Sequence, residues 1–201
     1  MMRRESLVPG GFGERIFAAA DAGDILPHEA PGLLRSFLRG GLDSTTSAIS
    51  AALYHLAANP DQYAMLRADP TLIRNAIEEA MRIESSIPNV GRLTTRDAVI
   101  DGVLVPADSK LMVILGAANH DPTVWDHPER FDITRKTQGH VALGYGIHMC
   151  VGQAIARLEA DVLLRALVAR LATLELTGPP LRKLNNNLRS LGSIPLRATS
   201  A

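Results

Sequence analysis

The sequence has a single cysteine, few aromatic residues and no net charge. With only Cys150 among 201 residues, no disulfide can form within the chain, which excludes a secreted disulfide-stabilised scaffold. A reducing, cytoplasmic location is the simplest expectation. Lysine plus arginine number 21, and so do aspartate plus glutamate. There is thus no basic excess of the kind that indicates nucleic-acid binding.

Long apolar segments are also missing. The longest stretch without a charged side chain, residues 137–156, contains several glycines and two histidines, a composition unlike that of a lipid-facing helix. The N-terminal residues include arginines without an apolar core after them, so we expect neither a secretory signal nor an anchor there. We therefore expect no membrane association.

What is present indicates a globular, mostly helical chain, since 46% of the residues are hydrophobic and 21% are charged. Apolar residues at helical spacing predict helices over about 13–22, 28–58, 61–67, 71–84 and 151–171. Residues 89–116 and those after Gly178 have the composition of short antiparallel strands, and 119–140 that of an ordered loop. The tail after Gly178 is basic and contains no acid, which predicts a solvated edge or a surface for an acidic partner.

The segment around Cys150 carries the clearest chemical pattern. Gly144 and Gly146 precede the cysteine and Gly152 follows it, and glycines permit tight turns and the close approach of a flat ligand. A helix is predicted to begin directly after the cysteine, and a helix N-terminus favours negative charge. A thiolate in this position is a nucleophile or a metal ligand. A small buried apolar cysteine is the alternative.

A second pattern lies inside the long predicted helix, where residues 39–46 read Arg-Gly-Gly-Leu-Asp-Ser-Thr-Thr. Each glycine in a helix interior costs about 1 kcal/mol relative to alanine. We therefore expect the helix to open locally at Gly40 and Gly41 and to admit a ligand or water. Asp43 and a hydroxyl beside it could then pass protons. Close helix packing on the glycines, with Asp43 exposed, is the alternative.

In their order and spacing these patterns resemble the cytochrome P450 heme-thiolate monooxygenases of the soluble bacterial class. The family's cysteine motif, Phe-Gly-x-Gly-x-His/Arg-x-Cys-x-Gly, matches from Gly144 to Gly152, with Leu143 in place of the phenylalanine. Residues 40–44 resemble the oxygen-activating helix. Shorter matches are Glu79-x-x-Arg82, Asn119-His120-Asp121-Pro122, Pro128-Glu129-Arg130-Phe131 and Ala156-Arg157-Leu158-Glu159.

The resemblance implies a fold and a cofactor. The fold is mainly α with small antiparallel β-sheets, corresponding to the C-terminal half of the cytochrome P450 fold. The cofactor is heme (iron protoporphyrin IX), with Cys150 as the axial thiolate ligand of its iron. His148 and Arg92 match positions that bind the heme propionates. The motif glycines at the cofactor are Gly40, Gly41, Gly144, Gly146 and Gly152.

The resemblance also implies a reaction and its partners. Asp43 and Ser44 match the acid–alcohol pair that delivers protons to dioxygen, with Thr45 as the alternative alcohol. Two electrons come from a ferredoxin or a flavin reductase, and basic side chains near the cysteine would dock an acidic ferredoxin. Residues 132–136 and 148–153 are similar to those of bacterial members acting on small aromatic carboxylates. Arg130 is expected to join Glu79 and Arg82 in one ionic network.

Length is the main departure from the family. A complete member is roughly twice as long, so residues 1–201 are expected to be the C-terminal part of one cytochrome P450 domain, a fragment without the N-terminal half. We therefore expect a large exposed apolar patch along the distal side of the helix between Phe37 and Leu56. We also expect weak heme retention or poor turnover by this chain alone.

Two alternatives remain open. One is a non-catalytic heme-binding fragment or pseudo-enzyme. The other is a thiol-dependent hydrolase that uses Cys150 with a nearby histidine. His148 is only two residues from the cysteine on the same loop, which is a poor position for a base that needs an orienting partner of its own.

Overall fold

The computed structural model describes residues 4–201. They divide into two compact units, one ending at Asp43 and the other beginning at Ser44. The first unit contains helix α1 (Phe12–Asp21) and the beginning of helix α2 (Ala30–Ala58). Its small core consists of Ile16, Ala30 and Leu34.

The second unit is mostly helical. After α2 come α3 (Pro60–Ala68), a 3₁₀ turn (Pro70–Leu72), α4 (Ile73–Glu84), the short α5 (Leu115–Ala118) and α6 (Gln153–Arg170). Prolines at the first position of α3 and of the 3₁₀ turn separate these helices, since proline suits a first turn but cannot continue a helix. The side chain of Asp69 accepts a hydrogen bond from the backbone N–H of Thr71 at 3.0 Å and caps the turn.

The main core lies among α2, α3, α4, α6 and the strand that follows α6. Its fully buried side chains recur at helical spacing and include Leu56, Ile73, Ile77 and Leu164. Helix α4 is buried at nine positions, including both Glu79 and Arg82. The helix that carries Glu79 and Arg82 is therefore surrounded by packed apolar side chains.

Four two-stranded antiparallel sheets complete the described residues. Strand β1 (Val90–Leu93) pairs with β4 (Lys110–Val113), and β2 (Ala98–Ile100) with β3 (Val103–Val105). Strand β5 (Leu171–Leu176) pairs with β8 (Leu196–Ser200), and β6 (Leu181–Lys183) with β7 (Ser190–Ser193). Asp101 and Gly102 both have positive φ, as the turn of the β2–β3 hairpin requires.

This architecture confirms the predicted fold class, which is helix-rich with small antiparallel sheets. The helix predicted over 28–58 is found at Ala30–Ala58, and the one predicted over 151–171 at Gln153–Arg170. Strand β5, which follows α6 without a loop, was not predicted, because its partner residues on β8 lie 20 to 29 positions further along the chain. Among residues 4–201, no helix has both the length and the apolar character needed to cross a bilayer.

The exposed apolar surface differs from the expectation. Between Phe37 and Leu56 the large apolar side chains that are exposed are Leu38 and Leu42, both at the beginning of that range. Further along α2 the apolar residues pack into or against the main core, so the predicted long patch on this helix is wrong. Most of the other exposed large apolar residues lie on α6, on the loop before it and on the β-hairpins.

Candidate functional site

The loop that presents Cys150 is built from tight turns. Gly144 has φ +78° and Gly146 φ +61°, and a 3₁₀ turn spans Gly146–His148. The backbone N–H of Cys150 donates to the carbonyl of Leu143 at 2.8 Å. A Cβ at Gly144 would lie 2.6 Å from the carbonyl oxygen of His148. Glycine is therefore required at 144, because any side chain there would break the closure of the loop.

Cys150 does not stand at the first turn of α6. The helix begins at Gln153 with Gly152 as its N-cap residue, so the cysteine precedes the cap by two residues. The expectation of a cysteine at the helix start is wrong by this offset, because residues 151–152 form a turn before the helix. A Cβ at Gly152 would lie 3.9 Å from the cysteine Sγ, an ordinary contact that places the two residues side by side.

One cavity of about 460 Å³ brings together four of the predicted cofactor residues, Gly144 and three with functional side chains. Cys150, His148 and Arg92 all line it. The remaining wall is mostly apolar and consists of Ile87, Val90, Val113, Leu115, Ala142 and Leu143, with Gly144 and Tyr145. A sulfur, an imidazole and a guanidinium therefore face one largely apolar space.

The residues predicted on the long helix are arranged differently. Helix α2 runs without interruption from Ala30 to Ala58, so the expected opening at Gly40 and Gly41 is wrong; two glycines weaken a long helix without breaking it. Apart from the chain neighbours and the nearby backbone of the same helix, no described atom lies within 4 Å of a Cβ built at either glycine. Close helix packing therefore does not account for the glycines within residues 4–201.

The proton-delivery candidates differ in burial. Thr45 is buried, Ser44 is half-buried and Asp43 is exposed. Asp43 belongs to the first unit and the two hydroxyl residues to the second. None of the three is among the residues lining the Cys150 cavity. Their role remains a prediction.

A buried ionic network lies on α4. Arg82 donates from Nε and Nη2 to the Glu79 carboxylate at 2.7 and 2.9 Å, and both side chains are fully buried. The second arginine on Glu79 is Arg135, whose Nε donates at 2.9 Å. The prediction of Arg130 in this place is wrong. Arg130 is exposed, and its backbone carbonyl accepts a hydrogen bond from Arg135.

Asn119 is a buried junction for which the sequence predicted no role. Its backbone carbonyl accepts a hydrogen bond from Arg82 at 2.6 Å. In its side chain, Nδ2 donates to Ser85 Oγ at 2.8 Å and Oδ1 accepts from the Val141 N–H at 2.8 Å. Asn119 thus connects the end of α4 to the segment that leads into the cysteine loop. Its partners lie 22 to 37 residues away, so local sequence gave no signal for them.

Two further acids of α4 are held as carboxylates. Burial raises the pKa of Glu78, but hydrogen bonds from His140 and Arg157 outweigh it and lower the pKa to about 2. Burial also raises the pKa of Glu84, but hydrogen bonds from His55 and Arg182 and the nearby charge of Arg189 outweigh it and lower the pKa to about 2. Two of the basic tail residues therefore pair with Glu84. Contrary to the expectation, the tail is not simply a solvated edge.

These observations define a helix-rich protein that presents one cysteine, on a glycine-closed loop, to an apolar cavity. The sequence model of the family described as Cytochrome P450 matches residues 31–198. The chain belongs to the cytochrome P450 family.

Relatives and solved structures agree with this assignment. The chain is 52% identical to cytochrome P450 CYP199A2 of Rhodopseudomonas palustris over 99% of its own length and 48% of that protein. It is 41% identical to cytochrome P450 107B1 of Saccharopolyspora erythraea over 90% of its length and 46% of that protein. The structure of the tirandamycin C-bound monooxygenase TamI superposes with a TM-score of 0.86 at 31% identity, covering 92% of this chain and 48% of TamI. The chain thus spans about half the length of the curated relatives it matches.

Heme is the cofactor that this family implies, and the residues around Cys150 fit it. A porphyrin needs apolar walls, a single strong axial donor and cations for its propionates. The cavity offers mostly apolar side chains, one cysteine sulfur, Arg92 and His148. The backbone at Gly144 can come close to a flat ligand, because no side chain stands there.

Proposed function

We propose that this chain is the heme-carrying C-terminal part of a monooxygenase that inserts one oxygen atom of O₂ into a small organic substrate. The observation that carries the proposal is the single apolar cavity shared by Cys150, His148 and Arg92 in a member of this family. Similar proteins include the monooxygenase PikC, at 36% identity, and 6-deoxyerythronolide B hydroxylase, at 38%.

Each cavity residue has a proposed binding role. The sulfur of Cys150 ligates the iron, and Arg92 and His148 pair with the propionates. Gly144 and Gly146 shape the loop beside the ring, and Gly152 lies next to the sulfur. When bound, the heme supplies the activation of dioxygen.

The protein supplies protons and excludes water. Asp43, with Ser44 or Thr45, is the proposed source of the two protons that the reaction consumes, and Gly40 and Gly41 belong to the same motif. In the net reaction a substrate C–H becomes C–OH and the second oxygen atom leaves as water. Two electrons enter from a partner protein. The apolar cavity wall keeps bulk water away from the sulfur.

A ferredoxin or a flavin reductase is the proposed electron donor. A groove of about 940 Å³ beside the cysteine loop is lined by Val151, which directly follows Cys150, and by Arg74, Arg157 and Arg165. Glu78 and Asp161 also line it and pair with Arg157 and Arg165. Three arginines against two acids leave the groove with a small positive charge, which suits an acidic partner surface. The proposed location is the cytoplasm, where a thiol ligand stays reduced.

The proposed substrate class is small aromatic carboxylates. Support comes from the similarity of residues 132–136 and 148–153 to bacterial members of that class. Titration of the heme-loaded protein with benzoate-type ligands should shift its Soret band, while neutral aromatics of equal size should not. Equal shifts for both would contradict the carboxylate preference.

A second candidate is a heme-binding fragment without catalytic activity. It is favoured by one observation, that none of Asp43, Ser44 and Thr45 lines the Cys150 cavity. Turnover with a ferredoxin, its reductase and NADH separates the two candidates, since only the enzyme forms hydroxylated product.

The proposed function is tested by replacing the ligand. After reconstitution with hemin, the native chain should show the reduced carbon monoxide difference band of a thiolate-ligated heme, and Cys150→Ala should lose it. Cys150→Ser keeps the size but not the soft sulfur donor, and should lose the band as well. If the optical bands are the same in all three proteins, the site assignment is wrong.

A further inference from the structure

Glu84 is a buried acid to which the proposed reaction assigns no role. Its side chain is only 5% exposed, yet it contacts three cationic or ionisable groups from distant parts of the chain. Arg182 on β6 donates to both carboxylate oxygens at 2.8 and 2.9 Å. Arg189 Nε lies 3.3 Å from Oε2, and His55 Nε2 lies 3.1 Å from Oε1.

Both arginines belong to the β6–β7 hairpin, Leu181–Ser193. Arg182 lies on its first strand, and Arg189 directly precedes its second. No leucine of the hairpin is buried in a core, since Leu181 is 67% and Leu184 97% exposed, while Leu188 and Leu191 are half-buried. A two-stranded hairpin is marginal by itself. Its position must therefore depend on what it is attached to.

The attachment point leads directly to the cavity wall. The N–H of Arg189 donates to the carbonyl of Ser86 at 2.8 Å. The next residue, Ile87, lines the Cys150 cavity together with Val90 and Arg92. Between Glu84 and Ser86 stands Ser85, which is fully buried and has φ +45°. This conformation costs a non-glycine residue free energy and persists only when its surroundings hold it.

We propose that Glu84 is a positioning residue that anchors the β6–β7 hairpin to the end of α4 and thereby fixes cavity-wall residues 86–92, including Arg92. The buried carboxylate has lost its hydration, and two parallel hydrogen bonds from Arg182 take the place of water. This bidentate arrangement is the strong form of an arginine–carboxylate pair. Removing the charge leaves two arginines without their partner. The hairpin then separates from Ser86, and the wall segment loses its outer support.

Hydrogen exchange of Glu84→Gln, read by mass spectrometry on the intact chain, tests the proposal. We expect amides of 181–193 and of 86–92 to exchange about tenfold faster or more, as for the loss of a hydrogen-bonded charge, while α3 is unchanged. Arg182→Gln should give the same pattern, and its partly exposed side chain makes misfolding less of a concern. Arg182→Lys, which keeps the charge, should restore much of the protection.

A matched control is Arg165→Gln, which also removes an arginine from a bidentate carboxylate pair, with Asp161 on α6. It should leave exchange in 86–92 unchanged. Faster exchange confined to the hairpin would overturn the proposal, and so would uniform acceleration over the whole chain. Because the measurement needs no heme, failure of heme binding would count against the proposed function and not against this inference.

Discussion

The glycines of the cysteine loop are distinguishable by what a side chain would meet. Both Gly144 and Gly146 have positive φ, so alanine is strained at either position. Only at 144 does the added Cβ lie 2.6 Å from a backbone oxygen, whereas at 146 nothing lies within 4 Å. The requirement at 144 is therefore steric as well as conformational.

Gly144→Ala should reduce hemin affinity far more than Gly146→Ala, which serves as its control. The strain common to both is about 1–2 kcal/mol, and the clash at 144 additionally displaces His148 and the loop that carries the sulfur. Hemin titration followed at the Soret band measures the difference. Equal affinities for the two variants would contradict the assigned geometry.

A second comparison is between Arg135, which pairs with Glu79, and Arg130, which lies on the same loop and does not. Arg135→Gln should lower the free energy of unfolding by about 2–3 kcal/mol, because a fully buried carboxylate loses a charged donor. Arg130→Gln should change it by no more than about 0.5 kcal/mol, as expected for an exposed side chain. Urea unfolding followed by circular dichroism measures both. A larger loss for Arg130 would restore the original prediction.

The part of the site that was predictable from sequence is the cysteine loop, whose residues are close together in the chain. The turn-forming glycines and Cys150 lie within ten residues, so their spacing alone describes the loop. Arg135, Asn119 and the arginines on Glu84 pair with residues 22 to 105 positions away. Such partners depend on how helices and loops pack, and two arginines on one loop are equally good candidates until the chain is folded.

Helix α4 carries three acids with different surroundings, and Glu78 connects it to α6. The folded-state pKa of Glu78 is about 2, below the usual value of 4.5. A depressed carboxylate pKa contributes stability above the unfolded-state value, and that stability is lost as pH falls towards the folded value. The window for this loss is therefore from about pH 5 down to about pH 2.

In Glu78→Gln, the free energy of unfolding should fall by about 2 kcal/mol less than in the native chain as the pH is lowered from about 5 to about 2. This value is reduced for the partial exposure of Arg157. At pH 7 the variant should be less stable than the native chain, and near pH 2 the two should converge. Glu159→Gln, an exposed acid on α6, is the control and should leave the profile unchanged. Parallel profiles for native and Glu78→Gln chains would contradict the depressed pKa.

Element boundaries were predictable where the chain contains a breaker or a turn pair. Asn59-Pro60 separates α2 from α3, and Asp101-Gly102 makes the β2–β3 turn. The glycine pair in α2 did not mark a boundary, because a 29-residue helix has enough hydrogen bonds and core contacts to continue through it. Propensity is a local preference, and packing of residues 48–57 in the core overrides it.

Helix α6 has apolar side chains on more than one face. Ala160, Leu164 and Val168 are buried in the main core, while Ile155, Leu158 and Val162 are each about 60% exposed. The exposed three follow an i, i+3, i+7 pattern, which forms a continuous stripe along one side of a helix. Such a stripe is an apolar surface for association, and Leu158 also lines the groove proposed for the electron donor.

We expect the 201-residue chain to self-associate through this stripe. Leu158→Gln with Val162→Gln should weaken that association at least tenfold, since each exposed side chain buried on contact contributes about 1.5 kcal/mol or more. Sedimentation velocity over a concentration series measures the change, and far-ultraviolet circular dichroism checks that α6 remains helical. Val124→Thr, at a residue 67% exposed in the loop after α5, is the control. Association that is unaffected by the double variant would mean that another apolar surface, such as the exposed side chains of the β2–β3 hairpin, holds the copies together.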